Sequence, residues 1–391
     1  MRNKIRLASN TIDKKDLNEL IKWLNKDPIL TKNDLTTKFE KKISNYFGVK
    51  YSIFVNSGSS ANLLAINSLL LNKKLRNKTV VVPSLSWSTT ISPLMQNNFK
   101  IIPCDIDMKS LGMNLDNFNY IINKYKPSLC IVVNVLGHDG NLKAIKNICK
   151  RKKIILFEDS CESMGSMINK KKHGTFGKLS SFSLYYGHQI STIEGGLILT
   201  NSTEEYETLL SLRSHGWIRD NSLKFKQKLK LEKNISDFKE NFSFIYPGYN
   251  LRSTDLNAFL GISQLKKLKI LNDKRHKVFD YYKKNLIEYW YQSSETTKIA
   301  SMGYVTFIKK RDRLFKELKD KGIESRPVIS GNLINQIFYK NYKNKIKMKC
   351  RNAEIIDKYG LYLPVHPHLS EKQLNNIIKI VKGYEPLRIN I

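Results

Sequence analysis

Short apolar runs alternate with amphipathic helical patterns along most of this chain, and that alternation is the feature that most restricts its fold. Runs such as YSIFV, TVVV, LCIVV and GLILT are too short for buried helices and rich in β-branched residues. Separated by stretches of helical period, they demand parallel strands joined by crossover helices, which is an α/β architecture with a mostly parallel sheet. The pattern predicts strands at 51–55, 79–82, 100–104, 129–133, 154–157, 181–185 and 196–200, with helices at 14–25, 34–47 and 61–71. A long helix is expected from Ser253 to Leu268. Residues 223–242 are Lys-rich and weakly patterned and read as a surface excursion.

At 391 residues the chain exceeds one compact domain. A large domain over residues 1–272 and a smaller C-terminal α/β domain over 273–391 are expected, the latter with strands near 303–308 and 323–326 and a final helix at 370–382. No repeat or low-complexity linker separates them.

Charge and cysteine usage exclude several classes. The formal net charge is +33, which raises the possibility of nucleic-acid or anionic-membrane binding. The lysines are spread over many elements without a nucleic-acid module, so a diffuse compositional excess is the preferred reading, with no nucleic acid and no membrane as partners. A positive field still suits a substrate carrying a diphosphate. Cys104, Cys130, Cys149, Cys161 and Cys350 form no CxxC pair and no cluster, so neither zinc nor an iron–sulfur centre is signalled and no metal is expected. Scattered cysteines, a start without an apolar signal core and the lack of a long apolar run point to the cytoplasm.

Five segments carry candidate chemistry. After the first strand, Ser57-Gly58-Ser59-Ser60 opens a helix, where free N–H groups and the helix dipole suit an anion, although serine there also serves as an ordinary cap. Trp87 follows the second strand and suits either stacking on a flat ring or the core. Glu158-Asp159-Ser160 follows IILF, at the strand end where open α/β sheets bind ligands; alone it fits a metal ligand, a helix cap or a partner for a pyridine nitrogen. SSFSLYYGHQISTIEGG sets Ser183 and His188 in a polar turn between strands. YPGYNLRSTD places Asn250 and Arg252 ahead of the long helix.

In this order the five segments resemble the DegT/StrS (DegT/DnrJ/EryC1) family of pyridoxal-phosphate-dependent sugar enzymes, over essentially the whole chain. The family's SGT/SGS turn, aromatic, EDxA/S and FSF…GEGG motifs match Ser57-Gly58-Ser59, Trp87, Glu158-Asp159-Ser160 and residues 181–196, and its LRSHG and GYN segments match residues 212–216 and 248–250. The resemblance implies the type I aspartate-aminotransferase fold, with a seven-stranded sheet. It implies that Asp159 pairs with the cofactor's pyridinium nitrogen, and that Gly58, Ser59 and Ser183, with Asn250 from a second copy, hold its phosphate. Trp87 is then the stacking residue. Glu162 lies beside the ring hydroxyl side or on a helix surface. His215, Arg219 and Arg326 are candidates for the sugar, the diphosphate or a dicarboxylate donor, with interface or structural roles equally open. His138, His366 and His368 are expected to be structural.

One position departs from the aminotransferase pattern. The family's lysine between FSF and GEGG, which holds the cofactor covalently, is replaced here by Tyr186-Gly187-His188-Gln189, and no lysine occurs between Leu179 and Leu223. Imidazole cannot hold the cofactor that way, but it is a competent general base. The exchange is similar to that of the family's sugar 3-dehydratases, which work through pyridoxamine phosphate. The type carrying no iron–sulfur cluster, which acts on GDP-linked 4-keto-6-deoxymannose, fits the scattered cysteines. The resemblance thus implies a homodimer with shared active sites, a nucleotide-sugar substrate and L-glutamate as amino donor, in O-antigen or capsule deoxysugar synthesis. The alternative is a nucleotide-sugar aminotransferase of the same family.

Overall fold

The computed structural model describes residues 4–388. Its centre is a seven-stranded sheet built from β1 (Tyr51–Val55), β2 (Thr79–Pro83), β3 (Lys100–Cys104), β4 (Leu129–Val133), β5 (Ile155–Asp159), β6 (Leu179–Ser183) and β7 (Gly196–Thr200). The strand order is β1-β7-β6-β5-β4-β2-β3. All neighbours are parallel except those of β7, which runs against both β1 and β6. Four of the seven predicted strands have the expected bounds. The sixth is displaced by two residues, because β6 ends at the Ser183–Gly196 pair and the chain then leaves the sheet, with Tyr185 half exposed.

The parallel strands are buried on both faces, as the continuous apolar runs require. One covering helix, Gly58–Leu71, is buried over most of its length and starts at the carboxyl end of β1, its N-cap Ser57 accepting from the Ser60 N–H. Asp255 caps a second helix, Asp34–Phe47, from across the fold, accepting from the N–H groups of Asn33, Leu35 and Thr36 at 2.8–2.9 Å.

The long helix is twice its expected length. It spans Asp255–Asn285, continuing past Leu268 because Leu268, Leu271, Val278, Phe279 and Tyr282 keep one stripe buried while the lysines between them face out. The C-terminal unit pairs β8 (Gly303–Phe307) with β9 (Gly360–Pro364), antiparallel. The strand expected at 323–326 is reduced to two single bridges, Ile5 to Ile323 and Arg326 to Tyr362. Residues 223–242 form a helix, Leu223–Lys233, and a 3-10 turn, Asp237–Phe242, that lie on the surface with Leu231, Phe238 and Phe242 exposed. Among the described residues no helix is long and apolar enough to cross a membrane.

Candidate active site

Because β1, β2, β4, β5 and β6 run the same way, the turns following them meet at one edge of the sheet. There they enclose a cavity of about 320 Å³, at the place where open α/β sheets bind ligands. Gly58, Ser59, Trp87, Asp159, Glu162, Ser183, His188 and Arg326 all line it. Asn250, His215 and Arg219 do not.

The two carboxylates at the end of β5 separate by strand alternation. Glu158 points away from the cavity and is fully buried, accepting from the backbone N–H groups of Gly174, Phe176 and Gly177. It anchors a loop. Asp159 points into the cavity, and its Oδ2 accepts from Asn62 Nδ2 at 2.9 Å and Thr90 Oγ1 at 2.6 Å. The Cys161 N–H donates to Oδ1 at 3.3 Å. Ser181 Oγ donates to Asn62 Oδ1 at 2.6 Å, which turns the amide so that its NH2 faces Asp159. Such a fixed, buried carboxylate is suited to a cationic ring N–H.

Ser57, Gly58 and Ser59 line the same cavity from the start of the helix that follows β1. Gly58 is required there, since a Cβ would lie 2.8 Å from Ser183 Cβ and 3.0 Å from Cys161 Sγ. The absence of that carbon lets the helix N-terminus come down against Ser183, and Ser59 Oγ is held by Thr89 Oγ1 at 3.0 Å. Backbone N–H groups and hydroxyls at a helix start make an anion cradle. Trp87 is 50% exposed, so it is a wall of the cavity rather than core. The opening therefore offers an anion cradle, a flat aromatic face and a buried carboxylate to one ligand. That donor set fits a phosphorylated, aromatic, cationic ring.

His188 completes the cavity on the side of β6. It is half-buried, and its Nδ1 has no hydrogen-bond partner. Burial holds its pKa down to about 4, with Arg275 and Arg326 adding to the effect and the Cys161 backbone opposing it. Among the described residues no lysine lines the cavity. Glu162 sits in a turn that lines the cavity, not on a helix surface, and accepts from the Leu136 N–H at 2.9 Å. Burial raises its pKa, against that hydrogen bond and the nearby Arg326. Arg326 itself lies over the Tyr362 ring at 4.7 Å, with its Nε buried and unpartnered.

Asn250, His215 and Arg219 form a separate cluster around Trp217. Arg252 Nη2 meets His215 Nε2 at 3.3 Å, its Nε donates to Asn250 Oδ1 at 3.2 Å, and the guanidinium groups of Arg219 and Arg252 both lie over the Trp217 ring. His215 is held in the left-handed region, φ 61°. Sequence reading missed Asn62, Thr90 and Ser181. The local signal for Asn62 and Thr90 is helical spacing, Asn62 one turn after Gly58 and Thr90 three residues after Trp87, while Ser181 is two residues before Ser183 on the same strand.

This sheet, with this ring-binding cavity at its carboxyl edge, is that of the pyridoxal-phosphate-dependent aminotransferase fold. The chain belongs to the DegT/DnrJ/EryC1/StrS aminotransferase family, which it matches over residues 10–382. It is 37% identical over 387 residues to GDP-4-keto-6-deoxy-D-mannose 3-dehydratase of Yersinia pseudotuberculosis, covering 96% of this chain and 98% of that one. A crystal structure of GDP-4-keto-6-deoxymannose-3-dehydratase with a trapped PLP-glutamate geminal diamine superposes with a TM-score of 0.89 at 33% identity, covering 96% and 99% of the two chains. A variant of that enzyme with bound GDP-perosamine superposes equally well, TM-score 0.89 at 33% identity, over 97% and 100%.

Proposed function

We propose that this protein is a pyridoxal/pyridoxamine-phosphate-dependent 3-dehydratase acting on a GDP-linked 4-keto-6-deoxy sugar, with glutamate restoring the amine form of the cofactor. The observation that carries the reading is the cavity itself: it keeps the carboxylate, aromatic face and anion cradle of the family but presents His188 and no lysine. In the net reaction the sugar's C3 hydroxyl is replaced by hydrogen, while glutamate is oxidised to 2-oxoglutarate and its nitrogen leaves as ammonia. The cofactor, when bound, would supply an electron sink for the reacting sugar.

Asp159, fixed by Asn62 and Thr90, keeps the ring nitrogen protonated and so sustains that sink. Gly58, Ser59 and Ser183 receive the phosphate, and Trp87 covers the ring. His188, neutral at physiological pH, takes the proton that must leave carbon, and in its protonated form hands a proton to the departing hydroxide. Arg326, which lines the cavity, takes an anionic group of the amino donor or the sugar nucleotide. Asn250, His215 and Arg219 lie outside their own chain's cavity, which supports a homodimer in which each copy completes the other's site. The glutamate adduct in the related crystal structure supports glutamate as the donor.

The test is His188→Asn assayed by mass spectrometry with GDP-4-keto-6-deoxymannose and glutamate. The wild type should yield a product lighter by one oxygen, and the variant should bind cofactor yet lose about a hundred- to ten-thousand-fold in rate. A wild-type rate in the variant, or an aminated sugar as the wild-type product, overturns the proposal.

A further inference from the structure

Two arginines are buried among the described residues, and they are treated differently. Arg213 is 1% exposed and pairs with Glu40 at 2.5 Å. Arg275, in the long helix, is 0% exposed and makes no ion pair among the described residues. A buried cation without a counter-ion is costly, so its two hydrogen bonds indicate what it is there to hold. Nη1 donates to the Val365 carbonyl at 2.8 Å and Nη2 to the His188 carbonyl at 3.0 Å, while Nε has no partner.

The His188 turn needs such an anchor. Gly187 precedes it in the left-handed region at φ 97°, and a Cβ there would stand 2.9 Å from Ala8 Cβ. Gln189 follows with its Nε2 donating to the carbonyls of Glu162 and Ala300, at 2.6 and 2.8 Å. The Arg275 bond holds the His188 backbone itself from outside the turn, and through Val365 it ties that turn to the end of β9.

We propose that Arg275 is a positioning residue for His188, fixing from the protein interior the backbone that aims the imidazole into the cavity. The inference rests on the reading of His188 as the base. Its charge acts as well. The groups around the imidazole are Arg275 from the helix, Arg326 from the C-terminal unit, Tyr185 from the same turn, and Asp159, Cys161 and Glu162 from the turn after β5. Of these the two arginines oppose protonation, and Arg275 likewise opposes protonation of His366.

The experiment compares cofactor-loaded wild type, Arg275→Met and Arg275→Lys, with folding checked by circular dichroism. Histidine NMR titration follows His188, its resonance assigned by its loss in His188→Asn. The methionine variant should show His188 titrating closer to the ordinary value, and kcat lowered by about ten- to a hundred-fold with KM within about twofold. Lysine keeps the charge but not the two-pronged geometry. It should leave the titration low while lowering kcat less than methionine does. A folded methionine variant with unchanged His188 titration and kcat overturns the proposal. Should that variant fail to fold, a lysine variant with wild-type kcat overturns it instead. Full activity of His188→Asn would sink the assignment of the base, whereas the titration tests Arg275 independently of that assignment.

Discussion

The depressed pKa of His188 makes a prediction that can be followed through acidification. Burial and two neighbouring guanidiniums hold the imidazole at about 4, below the ordinary value near 6.5. The sign is that of a group whose neutral form is favoured, so the proton-accepting state survives into mild acid. At about pH 5 an imidazole of pKa about 4 is roughly nine-tenths neutral, whereas an unperturbed one is only about 3% neutral. The two cases differ by about thirty-fold in usable base at that pH. The assay is kcat/KM for dehydration across the acid range, which reports the free enzyme, alongside histidine NMR titration of the same protein. Retention of most of the activity at about pH 5, with a His188 resonance titrating well below the ordinary range, is the expected result. An acid limb centred near about 6.5 that coincides with the His188 titration would refute the reasoning. The imidazole would then be open to water, and the desolvation that drives the shift would be absent.

Two further outcomes follow from other parts of the fold. His138 and His173 are fully buried, each with an unpartnered ring nitrogen, and burial holds each at about 3. Their folded pKa lies below the unfolded one, so the stability tied to their neutrality is whole above about 6.5 and is lost as pH falls toward about 3. Burial raises Asp139, Glu158 and Glu162, and these carry the opposite sign; a difference measurement separates them. Between about pH 7 and about pH 5 the wild type should lose about 2 kcal/mol relative to His138→Gln in urea unfolding, and parallel curves would contradict this. If sites are shared between copies, co-expressed His188→Asn and Asn250→Ala chains should form heterodimers with one intact site each. About a quarter of wild-type activity should then return from two nearly inactive parents, and no recovery would show that Asn250 serves its own chain.

The sheet was legible because its strands are buried on both faces. A run such as Leu129–Val133 has no alternative use in a soluble chain, and β1, β3, β4 and β7 keep the expected bounds. That Gly58, Ser59, Trp87, Asp159, Ser183 and His188 share one cavity was also legible, through motifs that lie at or shortly after the ends of parallel strands, which meet at one edge. What local pattern does not carry is which polar side chain reaches which partner. Asn62 and Asp159 are 97 residues apart, and their bond exists only because β1 and β5 deliver both to the same edge. Arg275 stands in the lysine-rich stretch LNDKRHKVFD, where nothing local separates a buried cation from its solvated neighbours. The helix length was short for the same reason, since its buried stripe beyond Leu268 is defined by the C-terminal unit packed against it. Strand identity and strand-end chemistry were thus determined by the sequence alone, because both follow from the burial of contiguous residues. The hydrogen bonds that fix Asp159 and the anchoring of His188 were decided only in three dimensions, because each depends on atoms brought together from distant parts of the chain.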